Sequence, residues 1–124
     1  MRLIIILMAL ALAQGSMAQK KPLLESQKEV EKQAIKEFET AMAAPEGSLY
    51  LFALENNIKG IYDFKITLGK RGKVISVFVI SREGGDISSQ NMFKDAVKAF
   101  KFNFKLPKNK NYSFKHKFIF NYKT

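Results

Sequence analysis

The sequence contains no cysteine and no tryptophan, and only one histidine and three prolines. Without cysteine no disulfide can staple the fold, and thiol catalysis is excluded. Zinc needs several nitrogen or sulfur ligands at set spacing, which one histidine cannot supply. A Ser-His-Asp site would have to be built on His116 alone. That residue falls in phase with five aromatics, the setting of a packed ring rather than a general base. The acid pairs Glu29/Glu31 and Glu37/Glu39 are two residues apart on a helix, so they do not face each other. Gly69, Gly72, Gly84 and Gly85 stand in turns, and no GxGxxG or Walker pattern opens a helix after a strand. The expectation is a protein that is not an enzyme and carries no cofactor or metal.

Long apolar runs are also scarce. The one candidate, Leu3 to Ala13, is eleven residues long, and a membrane-spanning helix needs about 20. Arg2 precedes it, and Gln14 to Ala18 follow as a polar, small-residue stretch with Ser16 and Ala18 at the −3 and −1 positions. That order predicts a signal peptide over residues 1–18, cleaved before Gln19, and a chain that does not span the membrane. The competing reading is an uncleaved anchor. The remaining 106 residues suffice for one domain. An exported, cysteine-free domain of this size points to a bacterial periplasm.

Acids are few and unevenly placed: 11 Asp and Glu stand against 21 Lys and Arg. Residues 19–57 have a net charge of −2, residues 58–93 of +3, and residues 94–124 of +8, with Asp95 as the only acid in the last stretch. Lys94, Lys98, Lys101, Lys105, Lys108 and Lys110 are the candidate contacts for an anionic partner. The same lysines could instead serve solubility and guard sheet edges.

Periodicity supplies the elements. Val30, Ala34, Phe38 and Met42 recur every four residues within Leu24 to Ala43, an amphipathic helix that Pro45 must stop. Lys20, Lys21 and Pro22 before it read as a short mobile start. Ser48 can cap a shorter helix through Leu54 that Asn56, Asn57 and Gly60 would end; an irregular segment is the alternative. At Ile61 the period becomes two: Tyr62, Phe64, Ile66 and Leu68 alternate with Asp63, Lys65 and Thr67, a strand with one wet face. After the Gly69–Gly72 turn, Lys73 to Ser81 is apolar on both faces. That predicts a strand buried on both sides or placed mid-sheet. Ser88 or Ser89 can cap a helix bearing Phe93, Ala96, Val97 and Phe100 in one stripe. Phe102 and Phe104 then alternate up to Pro107. In the last strand Tyr112, Phe114, His116, Phe118, Phe120 and Tyr122 share one face. The fold class is α+β in two layers: N-terminal helix or helices, then β-β-α-β with a three-stranded antiparallel sheet.

From Ile61 onward the chain resembles the C-terminal domain of TonB-type energy transducers. The resemblance rests on DFKITLGKRGKVISVFVIS, then FKDAVKAFKFNFKLP, then YSFKHKFIFNY, about 60 residues in that order and spacing. PEGSLYLFALENNI is a looser match to the segment preceding that domain. This division gives residues 19–45 as an N-terminal amphipathic helix and residues 46–124 as the TonB-like α+β domain. The resemblance implies pairing of a sheet edge with an extended peptide from an outer-membrane receptor, with Tyr112, Lys115, Lys117, Ile119 and Asn121 as contacts. A transducer also needs a membrane anchor and a long Pro-rich reach, and the expected cleaved signal and three prolines supply neither. The resemblance therefore bears on fold and peptide binding, not on force transmission.

The expectation is a periplasmic, TonB-like binding domain that pairs with an extended peptide or partner protein and is linked to outer-membrane receptor transport. The alternatives are an exported basic module for anionic envelope polymers, or a homodimer joined by edge strands. Nucleic acid is not an expected partner. The aromatics needed for base stacking alternate onto the face that a helix must cover.

Overall fold

The computed structural model describes residues 21–120. The expected signal segment and Asn121 lie outside the described residues. In chain order the elements are α1 (Gln27–Ala41), α2 (Ser48–Glu55), β1 (Gly60–Gly69), β2 (Lys73–Glu83), α3 (Ile87–Lys98) and β3 (Tyr112–Phe120), with a 3-10 turn over Lys70–Gly72. The three strands form one antiparallel sheet in the order β2-β1-β3. The class is α+β, and the element order follows the periodicities. Among the described residues, no helix is long and apolar enough to cross a membrane.

Helix α1 begins a little later than its apolar pattern because Ser26 caps it: the Ser26 hydroxyl accepts from the Glu29 N–H at 3.1 Å. The residues before it are tied down, contrary to the expected mobile start at Lys21 and Pro22. The Lys105 N–H donates to the Pro22 carbonyl at 2.8 Å, and the Leu24 N–H donates to the Lys105 carbonyl at 2.9 Å. Extended chain at Lys105 offers unpaired backbone groups, and the N-terminal residues satisfy them.

Two cap assignments also change. Gly47, not Ser48, precedes α2, and Ser48 is the first helical residue. Asp86, not Ser88 or Ser89, caps α3, accepting from the Ser89 N–H at 2.7 Å. A carboxylate there gains from the helix dipole as well as the hydrogen bond. The hydrogen bond from the Ser89 N–H is the main cause that holds the Asp86 carboxyl below its ordinary range.

The expectation for the second strand is overturned. The central strand is β1, whose Tyr62, Phe64, Ile66 and Leu68 are fully buried. Strand β2 is an edge, and Ile75, Phe78 and Ile80 are exposed on it. Two register shifts explain why its apolar pattern misled. Thr67 pairs with Ser76 but Leu68 with Val74, leaving Ile75 as an extra residue; Asp63 pairs with Ser81 but Phe64 with Val79, leaving Ile80 over. Each bulge resets the alternation, so apolar residues at neighbouring positions no longer imply two buried faces.

The core lies between one sheet face and the helices. Phe38 of α1 has its ring centroid 5.0 Å from Phe102 and 5.1 Å from Phe118. Phe93 of α3 sits 5.0 Å from Phe118 and 4.8 Å from Phe120, both edge to face. Such pairs add about 0.5–1.5 kcal/mol beyond the area they bury. The described residues leave the other sheet face open.

Candidate functional site

Among the described residues strand β3 is an edge along its length, and two contacts fix which of its backbone groups face outward. Thr67 and Ser113 are opposite each other, and their hydroxyls meet at 2.8 Å. Such close side chains mark a non-hydrogen-bonded pair, whose N–H and C=O point away from the partner strand. In agreement, the Ser113 carbonyl accepts from the Gln27 side chain of α1 at 2.8 Å, a donor outside the sheet. Alternation then turns the N–H and C=O of Lys115, Lys117 and Ile119 outward as well.

The structure thus brings Lys115, Lys117 and Ile119 onto one free backbone edge, with all three side chains exposed. Tyr112 is set apart from them. Its ring is buried, it pairs with Leu68, and its hydroxyl donates to the Glu25 carbonyl at 2.6 Å. Beside Ile119 and Phe120 the edge meets a cavity of about 450 Å³ against α2, lined in part by Met42, Tyr50, Leu54 and Ile58. Sequence periodicity could not find this cavity, because α2 reaches it only through tertiary packing.

His116 lies on the core face of β3, half-buried. It stacks on Phe38 at 5.4 Å and meets Phe118 edge-on at 4.7 Å. Burial pushes its pKa below the ordinary value, with Glu39 and Asp63 pulling the other way. Tyr62 is buried too, which raises its phenol above the usual range, with Asp86 adding to the effect. The Tyr62 hydroxyl donates to the Lys59 carbonyl. Among the described residues no three His, Cys, Asp or Glu side chains come together as metal ligands.

The six lysines read as an anionic contact are carried by several elements. Lys94 and Lys98 lie on α3, and Lys101 starts the extended stretch, bridging to Lys73 of β2. Lys105 and Lys108 instead line a cavity of about 580 Å³ together with Lys21, Lys70 and Arg71. Those last three come from distant parts of the sequence, so charge counting along the chain could not group them. Lys110 follows in the loop before β3 and is exposed.

On the open sheet face, register aligns Phe78, Lys65 and Lys115 in one row across the three strands, and Ser76, Thr67 and Ser113 in the next. The Lys65–Lys115 pair opposes like charges. No family model, curated protein or solved structure matches this chain.

Proposed function

We propose that this chain is a periplasmic binding module that holds a partner rather than transforming one, and that an extended peptide or partner protein pairs with it along β3. The observation that carries this reading is the outward-facing backbone of Lys115, Lys117 and Ile119. A free edge of that length offers main-chain hydrogen bonds to an added strand, and the cavity beside Ile119 offers a place for one of its side chains. Lysines on the edge discourage indiscriminate pairing and favour an acidic or polar partner strand. The resemblance to TonB-type domains supplies the kind of partner, an extended segment of an outer-membrane receptor. It does not supply the transmission of force.

Proline scanning of the edge tests the proposal. Lys117→Pro removes an outward N–H and leaves the ladder to β1 intact, because Lys117 faces Asp63 in a non-hydrogen-bonded pair. The expected result is a folded variant that no longer retains outer-membrane receptors from envelope extract, at low or high salt. Phe118→Pro removes an inward N–H and should unfold the sheet instead. A folded Lys117→Pro protein that retains receptors as the parent does would refute pairing at β3.

A further inference from the structure

The cavity beside the 3-10 turn has an unusual lining. Five of its eight residues are cationic, Lys21, Lys70, Arg71, Lys105 and Lys108, and none is acidic. The other three are Leu23, Leu106 and Pro107. Three separate pieces of chain build it, and each is held in place. The N-terminal piece is pinned by the backbone pairing of Pro22 and Leu24 with Lys105. The turn is fixed by left-handed conformations at Arg71 (φ 68°) and Gly72 (φ 68°). The third piece, Lys105 to Lys108, follows two core rings, Phe102 and Phe104, that are almost wholly buried.

Gathering five like charges around one concavity is unfavourable for the protein alone, and an anion relieves it. Arg71 brings a planar fork suited to phosphoryl oxygens, and the lysines act as point charges beside it. The apolar residues add a second requirement. Leu23 is 55% exposed at the cavity, although its neighbours' backbone is ordered by pairing. A ligand that is only an anion would leave it in water, whereas one with an attached hydrocarbon portion would cover it.

We infer that this cavity binds the phosphoryl headgroup of an anionic amphiphile, with Arg71, Lys105 and Lys108 on the phosphoryl oxygens and Leu23 against the hydrocarbon. The site is separate from the β3 edge and does not depend on peptide pairing there.

The test is flotation of the purified protein with vesicles of phosphatidylcholine, alone or with a third phosphatidylglycerol. Retention is expected on the anionic vesicles only. Arg71→Gln with Lys105→Gln should weaken it about tenfold, since each basic residue at an anionic surface contributes appreciably. Lys94→Gln with Lys98→Gln removes the same charge from α3 and should leave binding close to the parent's. Inorganic pyrophosphate should displace the protein better than sodium chloride of equal ionic strength. Leu23→Ser should weaken vesicle binding while leaving pyrophosphate binding, read by calorimetry, unchanged. Equal loss in the two lysine-containing double variants, or pyrophosphate acting no better than salt, would overturn the site in favour of diffuse charge. Retention on neither vesicle would overturn the amphiphile.

Discussion

Phe38 of α1 lies face to face with His116 of β3, ring centroids 5.4 Å apart and planes 29° apart. Phe38 also contacts Phe100, Phe102, Phe114 and Phe118. The N-terminal helix is therefore integral to the core, and the sheet's helix-facing side depends on it.

Phe38→Ala should accordingly cost about 3–5 kcal/mol, as expected for truncating a fully buried phenylalanine. Against a total stability of about 5–15 kcal/mol, this variant should be close to unfolding. Urea titration followed by circular dichroism checks it. A loss below about 1 kcal/mol would mean that α1 detaches without consequence for the sheet.

The histidine gives the fold a pH dependence whose sign follows from burial. The His116 pKa is lowered from its ordinary 6.5 by burial, more than Glu39 and Asp63 raise it. Below about pH 6.5 the unfolded chain then binds a proton that the folded chain resists, so stability falls as pH drops from 6.5 toward the lowered value. Above 6.5 the contribution is constant. His116→Gln should flatten that part of the profile, read as the difference between parent and variant midpoints at pH 7.5, 6 and 5. An unchanged difference across those three values would show that the ring titrates as it does in water.

Gly72 holds the turn between β1 and β2 in a way another residue cannot. Its φ is +68°, and a Cβ there would come within 2.6 Å of the Phe104 carbonyl. Gly72→Ala should cost about 1–2 kcal/mol for the left-handed backbone, with the Phe104 contact adding to it. Because Arg71 precedes it, the same substitution should displace the guanidinium from the basic cavity. Thermal unfolding gives the first effect and vesicle flotation the second. A variant as stable as the parent would show that the turn relaxes freely.

The sequence revealed some of this architecture and concealed the rest for identifiable reasons. Alternation at Tyr62, Phe64, Ile66 and Leu68 named the core face of β1 directly, since every one of those side chains is buried. The stripe at Phe93 and Val97 did the same for α3. Strand β2 defeated the same logic because bulges at Ile75 and Ile80 break the two-residue period, and a bulge has no signature in apolar pattern alone. Lys115, Lys117 and Ile119 were legible as the outer face of the last strand. That the strand is an edge depends on pairing order, which local sequence does not carry. The basic cavity was half legible: Lys105 and Lys108 stood out in a basic stretch, but Lys21, Lys70 and Arg71 join them only through folding.

The exposed apolar residues of β2 lead to a final contrast. Phe78 is 65% exposed, opposite Lys65 on the open face, while Phe64 on the central strand is fully buried. Phe78→Thr keeps a residue suited to a strand and removes little buried surface, so stability should stay within about 0.5 kcal/mol. Phe64→Ala should lose about 3–5 kcal/mol. An edge strand bearing Ile75, Phe78 and Ile80 also invites pairing with other chains, so Phe78→Thr should reduce association at high protein concentration. Sedimentation velocity at two concentrations, beside chemical denaturation, reads both effects. Marked destabilisation of Phe78→Thr would mean that this ring is covered in solution, and that the open face is already part of an assembled surface.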